Sequence, residues 1–411
     1  MNFEYFIAKR IVSAKEYKNS ISSPIIKIAI LSIVIGFVTM LISIASGVGL
    51  QNKIYQKVSA FNGDIIISNF DTNFSDDSQN PISTIQGFYP TFNSIKGIQH
   101  IQATASKGGV IRTANKFEGV VVKGVGKDYD WNYFNEFLID GSLPDYSQLL
   151  TNKILISEYT SNRLNLKVGD KLNTFFFNSD NSKLPRSRSF EVSGIYNSGF
   201  NEFDEKFVIA DIRHIQRLNK WSENEIGSYE VFVEEFSQID QIGNEVYNEV
   251  GSFLDSQTIK ERYFSIFKWL ELFDFNIILI IFIMIVVAGI NMITALLVLI
   301  LERTQMIGII KALGSSNKSI RKIFIYNAMY LVGIGLFWGN VIGIGLLLIQ
   351  KYFKLIKLDP NIYYVNEAPV YLAIDYILLL NVGTLIVCFS MLLIPSYIIS
   401  KITPVRAIRF E

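Results

Sequence analysis

The sequence predicts an α+β membrane protein, with four transmembrane helices and a large mixed α/β extracytoplasmic domain carried on a helical stalk between spans 1 and 2. Three observations predict it. Uncharged apolar stretches run over Ile28–Gly49, Phe275–Leu301, Ile323–Gln350 and Tyr376–Ser400. Each is long enough, at 1.5 Å per residue, to cross a hydrocarbon core of roughly 30 Å. Their spacing is uneven: a long polar, aromatic and turn-rich stretch separates the first two, whereas Glu302–Lys322 alone separates the second from the third. The third observation is charge. Residues 1–27, 302–322 and 401–411 hold 13 Lys/Arg against 4 acids, a net of +9; the remainder holds 38−13 = 25 basic and 37−4 = 33 acidic residues, a net of −8. The positive-inside rule then places both termini and the short loop in the cytoplasm and the large domain outside.

The elements follow in order. Residues 1–24 form a cytoplasmic N-terminus in which Phe3, Phe6, Ile7, Ile11 and Ala14 fall on one face of an amphipathic helix, suited to the inner interface. Residues 25–49 are the first span. Its apolar run exceeds a signal-peptide core and continues past Ser43–Ala45, so a retained anchor is expected. Residues 50–272 are the extracytoplasmic domain, entered by a helix over Gln51–Phe61 and left by another over Thr258–Phe275. Strand character is read over Asp64–Ser68, Ile98–Ala105, Gly109–Thr113, Phe117–Val125, Lys153–Ile156, Lys171–Phe177, Phe190–Tyr196, Lys206–Ala210 and Glu230–Val233. Helical character is read over Ser157–Leu164, Ile212–Leu218 and Ile239–Phe253, and Asp71–Asn80 reads as a loop. The second span (273–301), a cytoplasmic coupling loop (302–322), the third span (323–350), an outer loop (351–375), the fourth span (376–400) and a cytoplasmic tail (401–411) complete the chain.

Several function classes are excluded or disfavoured by composition. The lone cysteine, Cys388, falls in the fourth span, so the external domain folds without a disulfide. With only His100 and His214, no metal centre is expected. Gly124–Lys127 lacks the spacing of a phosphate-cradling loop and reads as a turn. Ser157, Asp211 and His214 form a triad by composition only, without nucleophile-elbow glycines, and no catalytic residue is expected. Nothing calls for a nucleic-acid partner.

Two patterns carry packing and docking. In the third span Gly335, Gly339 and Gly343 recur every fourth residue and make a flat face for close helix approach. In the coupling loop an apolar run, Met306–Ile310, sits between charges and ends at Gly314, which a mere connector does not require. Asn291 in the second span reads as an interhelical polar contact.

The loop sequence ERTQMIGIIKALGSS resembles the coupling loop of the FtsX-like permeases, the type VII or mechanotransmission ABC proteins, with Met306 standing where the family carries an acid. The resemblance spans nearly the whole chain: Phe6–Arg10, GVVVKGVGKD at 119–128, LISEYTSNRLNLKVGD at 155–170, FEVSGIYNSGFNEFD at 190–204 and PVRAIRFE at 404–411 are similar to successive family segments. NIYYVNEAP at 361–369 and SKLPRSRSFEV at 182–192 look most like the lipoprotein-releasing LolC/LolE subunits.

The resemblance implies a bacterial inner-membrane permease subunit that extracts lipoprotein cargo from the outer leaflet and hands it to a LolA-like periplasmic carrier. It implies a separate LolD-like ATPase that binds ATP and Mg, no cofactor on this chain, and a second permease copy or paralogue in a dimer. Glu302, Arg303, Met306, Ile307, Gly308, Lys311 and Gly314 match the ATPase-coupling segment. Asn178–Arg188 occupies the place of the carrier-docking hairpin, with Lys183, Leu184, Pro185, Arg186 and Arg188, and is shorter than the family's version. The same family also contains MacB-like efflux permeases and FtsX-like relays to cell-wall hydrolases, and these remain the alternatives.

Overall fold

The computed structural model describes residues 3–13, 22–70, 76–176 and 185–401. The chain divides into two compact units, one of residues 1–51, 270–357 and 367–411, the other of 52–269 and 358–366.

The helices are α1 (Phe3–Ser13), α2 (Ser22–Asn62), α3 (Glu158–Leu164), α4 (Asn201–Asp204), α5 (Ile212–Asn219), α6 (Ile239–Glu249) and α7 (Ile259–Arg262). They continue as α8 (Phe264–Glu302), α9 (Thr304–Ala312), α10 (Asn317–Phe353), α11 (Pro360–Tyr363), α12 (Ile374–Ser396) and α13 (Ile398–Lys401). The four helices α2, α8, α10 and α12 are long and apolar enough to span a membrane. At 41 residues α2 is about 60 Å long, twice a hydrocarbon core. Its surplus continues as helix beyond the apolar stretch, whereas the helix read over Thr258–Phe275 is broken at Tyr263 into α7 and α8, with Thr258 ending β12.

In the first unit the glycines of α10 receive side chains of α2 one turn at a time. A Cβ on Gly335 would stand 2.6 Å from Ile33 Cγ2, on Gly339 3.0 Å from Phe37 Cδ1, and on Gly343 2.9 Å from Leu41 Cδ2. Ile33, Phe37 and Leu41 share the i, i+4, i+8 spacing and are all buried. A second tie is polar: Asn340 Nδ2 donates to Asn381 Oδ1 at 2.8 Å, and Asn381 Nδ2 returns the bond at 3.2 Å, joining α10 to α12. Asn291 is half-buried on α8. The amphipathic α1 differs in part from expectation. It buries Ala8 against Ile323 of α10, with Ile7 alongside, and Ser319 Oγ donates to Glu4 at 2.9 Å, while Phe6 stays exposed. Ala14 lies outside the described residues.

The second unit is a mixed sheet with its helices. Its strands are β1 (Ile65–Asn69), β2 (Ile82–Ser83), β3 (Ile98–Arg112), β4 (Phe117–Val125), β5 (Leu138–Gly141) and β6 (Lys153–Ser157). There follow β7 (Lys171–Phe176), β8 (Arg186–Tyr196), β9 (Phe207–Asp211), β10 (Glu225–Ile226), β11 (Ser228–Val233) and β12 (Leu254–Thr258). The large sheet runs β12-β1-β11-β3-β4-β9-β6-β8-β5, with β7 bridging β3 and β8. Pairings are antiparallel except β4–β9 and β6–β8. The two strands read over 98–105 and 109–113 are one continuous β3, and β2, β5, β10 and β12 are additional to the expected set.

The end of α2 is the centre of this unit's core. Phe61 is 1% exposed and stacks on Phe203 at 4.8 Å, with Phe134 at 5.1 Å and Tyr196 at 5.7 Å between ring centroids. Gly63, at φ +66°, ends the helix by the left-handed conformation that a side chain disfavours. Asp64 then accepts from Tyr55 Oη and Ser59 Oγ, both at 2.6 Å, and from the Val233 N–H at 2.7 Å, fixing the turn into β1. Lys123 and Glu230 form a buried ion pair at 2.6 Å, and Gln102 Nε2 donates to Glu230 at 2.9 Å. Burial pulls the Lys123 ammonium pKa down against the pull of Glu230. Removing either partner of such a pair costs about 3–5 kcal/mol because the other charge is left buried.

The glycine seam is tested by contrast. Gly339→Leu, which places atoms where Phe37 stands, is expected to destabilise by about 1–3 kcal/mol. Gly345→Leu, with nothing within 4 Å of its Cβ position, is expected to leave thermal unfolding in detergent unchanged.

Candidate functional site: coupling helix and docking hairpin

The coupling segment is helical as expected, but its faces divide differently. After α8 ends at Glu302, α9 starts at Thr304 and turns its buried residues, Ile307 and Gly308, into the first unit. Met306 and Ile310 pack part-buried against the same core, and Lys311 Nζ donates to the Ile399 carbonyl at 2.7 Å. These four residues and Lys311 therefore hold the helix in place rather than facing outward. The outward face of α9 carries Gln305, Ile309 (47% exposed) and Leu313 (81%) at i, i+4, i+8 spacing, and Leu301 (67%) and Glu302 are exposed at the end of α8. Arg303 is half-buried, and Gly314 adopts φ +96°, which ends the helix and sets the turn into α10 at its N-cap Ser316. The docking run read from the sequence, Met306–Ile310, includes Ile309 but not Gln305 or Leu313, which share its face at i, i+4, i+8 spacing from 305.

The hairpin end is built by β7 and β8, whose register pairs Phe176 with Arg186 and Thr174 with Arg188. Lys183, Leu184 and the rest of 177–184 lie outside the described residues. Pro185 is exposed. Arg186 and Arg188 are not loop residues but strand residues, since β8 begins at 186 and not at 190. The serine–arginine alternation directs side chains to opposite faces, and pairing with β7 extends the ladder. Arg186 Nη1 donates to the Leu218 carbonyl at 2.6 Å, which ties it to the end of α5.

A third arrangement uses the loop segment 358–366, which carries part of NIYYVNEAP. Tyr364, at φ +58°, stacks on Phe200 at 4.5 Å and meets Trp269 edge-on at 5.8 Å. Its carbonyl accepts from Lys57 Nζ of α2 at 3.0 Å. Burial pushes the Lys57 ammonium down to about 8, opposed by the Asp204 carboxylate. Asp204 is itself raised by burial, although Ser198 and the Gly199 N–H hydrogen-bond it.

The compositional triad is not assembled. Ser157 caps α3 and donates to the Asp204 carbonyl, His214 Nε2 contacts the Thr151 carbonyl at 2.9 Å, and Asp211 pairs with Arg213. Among the described residues no group of three or more His, Cys, Asp or Glu is placed to hold a metal ion.

Comparison with known proteins agrees with this layout. The MacB-like periplasmic core domain model matches residues 28–247, and the FtsX-like permease C-terminal model matches 278–404. The lipoprotein-releasing system transmembrane protein LolC of Haemophilus influenzae is 24% identical, covering 100% of both chains. LolE of the same organism is 19% identical over 99% of each. The crystal structure of the periplasmic region of MacB from Actinobacillus actinomycetemcomitans aligns with a TM-score of 0.34 and 14% identity, covering 49% of this chain and 91% of that one. Four apolar helices together with these relatives describe a membrane protein with a periplasmic domain. The chain belongs to the family of the MacB-like periplasmic core domain, whose model covers residues 28–247, and is an ABC transporter permease whose C-terminal part, 278–404, is similar to the FtsX-like permeases.

Proposed function

We propose that this permease subunit releases lipoproteins from the outer leaflet of the inner membrane to a periplasmic carrier, with energy from a separate ATPase subunit that binds ATP and Mg. The observation that carries the coupling half is the outward face of α9, where Ile309 and Leu313 leave apolar surface uncovered. Burying each such side chain on a partner contributes about 1.5–3 kcal/mol. The charge split supports cytoplasmic termini and a cytoplasmic α9, where an ATPase is available.

The release half is supported by the relatives' printed names, LolC and LolE. Extraction of an acyl chain costs about 0.8 kcal/mol per CH₂ removed from lipid, so a multiply acylated cargo requires coupled hydrolysis. This one gene product resembles both LolC and LolE, which supports a homodimer of two copies around the cargo. Gly335, Gly339 and Gly343 serve helix packing in this scheme, and lipid contacts fall on the exposed faces of the spans.

The coupling face is tested by Ile309→Asp and Leu313→Asp. Each is expected to lower co-purification of the ATPase subunit about tenfold or more, the effect of losing roughly 1.5 kcal/mol of burial, with normal unfolding of the permease. Gly308 faces inward, so Gly308→Glu is expected to destabilise the permease itself. Undiminished co-purification of both outward variants would remove α9 as the docking element.

Carrier docking is tested at the hairpin end. Arg188→Glu, away from the Arg186–Leu218 tie, is expected to weaken carrier binding in a salt-dependent way while ATP hydrolysis continues. Unchanged carrier affinity at low salt would shift weight to the efflux or hydrolase-relay readings.

A further inference from the structure

β12 ends the large sheet: it pairs with β1, and among the described residues no strand lies on its other side. Two hydrogen bonds fix the direction of its main chain. The Ile259 N–H donates to the Asp64 carbonyl at 2.9 Å, toward β1. The Thr258 N–H turns the other way, to the Glu261 carboxylate at 2.8 Å. Main-chain groups alternate along an antiparallel strand, so the N–H and C=O of Ser256 share the outward direction of Thr258. An edge of this kind is a template for another strand.

The free edge does not face open solvent alone. α6 lies beside it and presents Asp240, Gly243, Asn244 and Tyr247, an i, i+3, i+4, i+7 face, across a cleft of about 590 Å³. Gly243 permits this approach, since a Cβ there would stand 2.6 Å from Thr258 Cγ2. The Ser256 Oγ in the cleft wall is buried and has no hydrogen-bond partner among the described residues. At the end of the strand Phe253 is 88% exposed, and Tyr247 is 54% exposed on the helix wall. The cleft is acidic: Asp240, Asp255 and Glu261 line it, and Lys260 pairs with Asp240 at 2.7 Å.

We propose that this cleft is a docking groove for an extended, basic segment of a partner polypeptide, which adds to β12 as a further strand while its side chains lie along α6. Strand addition beside a helix supplies main-chain hydrogen bonds for affinity and side-chain pockets on alternate residues for specificity. The carboxylates select lysine or arginine and disfavour pairing of two copies of this chain, which would bring two acidic clefts together. The groove stands apart from the hairpin end of β7 and β8 and from the choice of cargo, so it holds or fails independently of the release mechanism.

The test uses the full chain in nanodiscs and, as probe, a short labelled peptide of alternating lysine and valine. It is expected to bind, and N-methylation of the amides along one edge of the peptide, or Ser256→Pro, is expected to weaken binding about tenfold or more. Proline is tolerated where an edge N–H points outward, so this variant keeps the fold. Asn244→Arg, which puts bulk and a cation into the groove from an exposed helix position, is expected to give the same loss. A glutamate–valine peptide is expected not to bind. Absence of binding by the lysine peptide overturns the proposal, as does equal binding by the N-methylated or glutamate peptides. A dimer of the chain that Ser256→Pro dissolves would assign the edge to a second copy and overturn it likewise.

Discussion

The unbroken length of α2 and α8 is the constraint on which the rest of the structure depends. Each has one end among the residues of the periplasmic unit and continues as a single helix through an apolar span. α2 is held at its far end by Phe61 in the aromatic core and stopped by Gly63 and Asp64. α8 is preceded by the capping box of Thr258 and Glu261, which sets the start of α7. Gln51 Nε2 donates to Asp274 at 2.8 Å and to the Leu270 carbonyl at 3.3 Å, so the two helices are tied to each other as the stalk begins.

The periplasmic unit is held by buried polar ties. Lys123 and Glu230 are paired and further held by Gln102, and Lys57 reaches the Tyr364 carbonyl from the middle of the stalk. These groups are expensive to bury and more expensive to separate, so they resist rearrangement of the strands and of the segment 358–366 against α2. In the membrane unit the glycine seam does the corresponding task by van der Waals contact, aided by the reciprocal amides of Asn340 and Asn381.

The spans, the stalk and most long strands were legible because their signals are long: an uncharged run, a helical repeat, or a β-branched cluster. β12 was not, since Leu254-Asp-Ser-Gln-Thr258 is polar in its middle and becomes a strand through pairing with β1. β5, with two residues of ordinary strand propensity before Asp140 and Gly141, failed for the same reason. At the coupling loop the composition identified the element, but not which residues face out. Ile307 and Ile309 are alike as residues, and only packing against the first unit separates the buried one from the exposed one. At the hairpin end Arg186 and Arg188 looked like loop because of their charge, yet pairing with β7 makes them strand.

The proposed ATP-driven release is tested most directly by interrupting α2 where its apolar stretch ends. A Gly-Gly insertion between Gln51 and Asn52 keeps both units and every residue of the coupling helix, but removes helical stiffness at that point. ATP hydrolysis by the assembled transporter should persist while ATP-driven release of cargo from reconstituted membranes is lost. Release at the rate of the uninterrupted chain would contradict a rigid-helix relay.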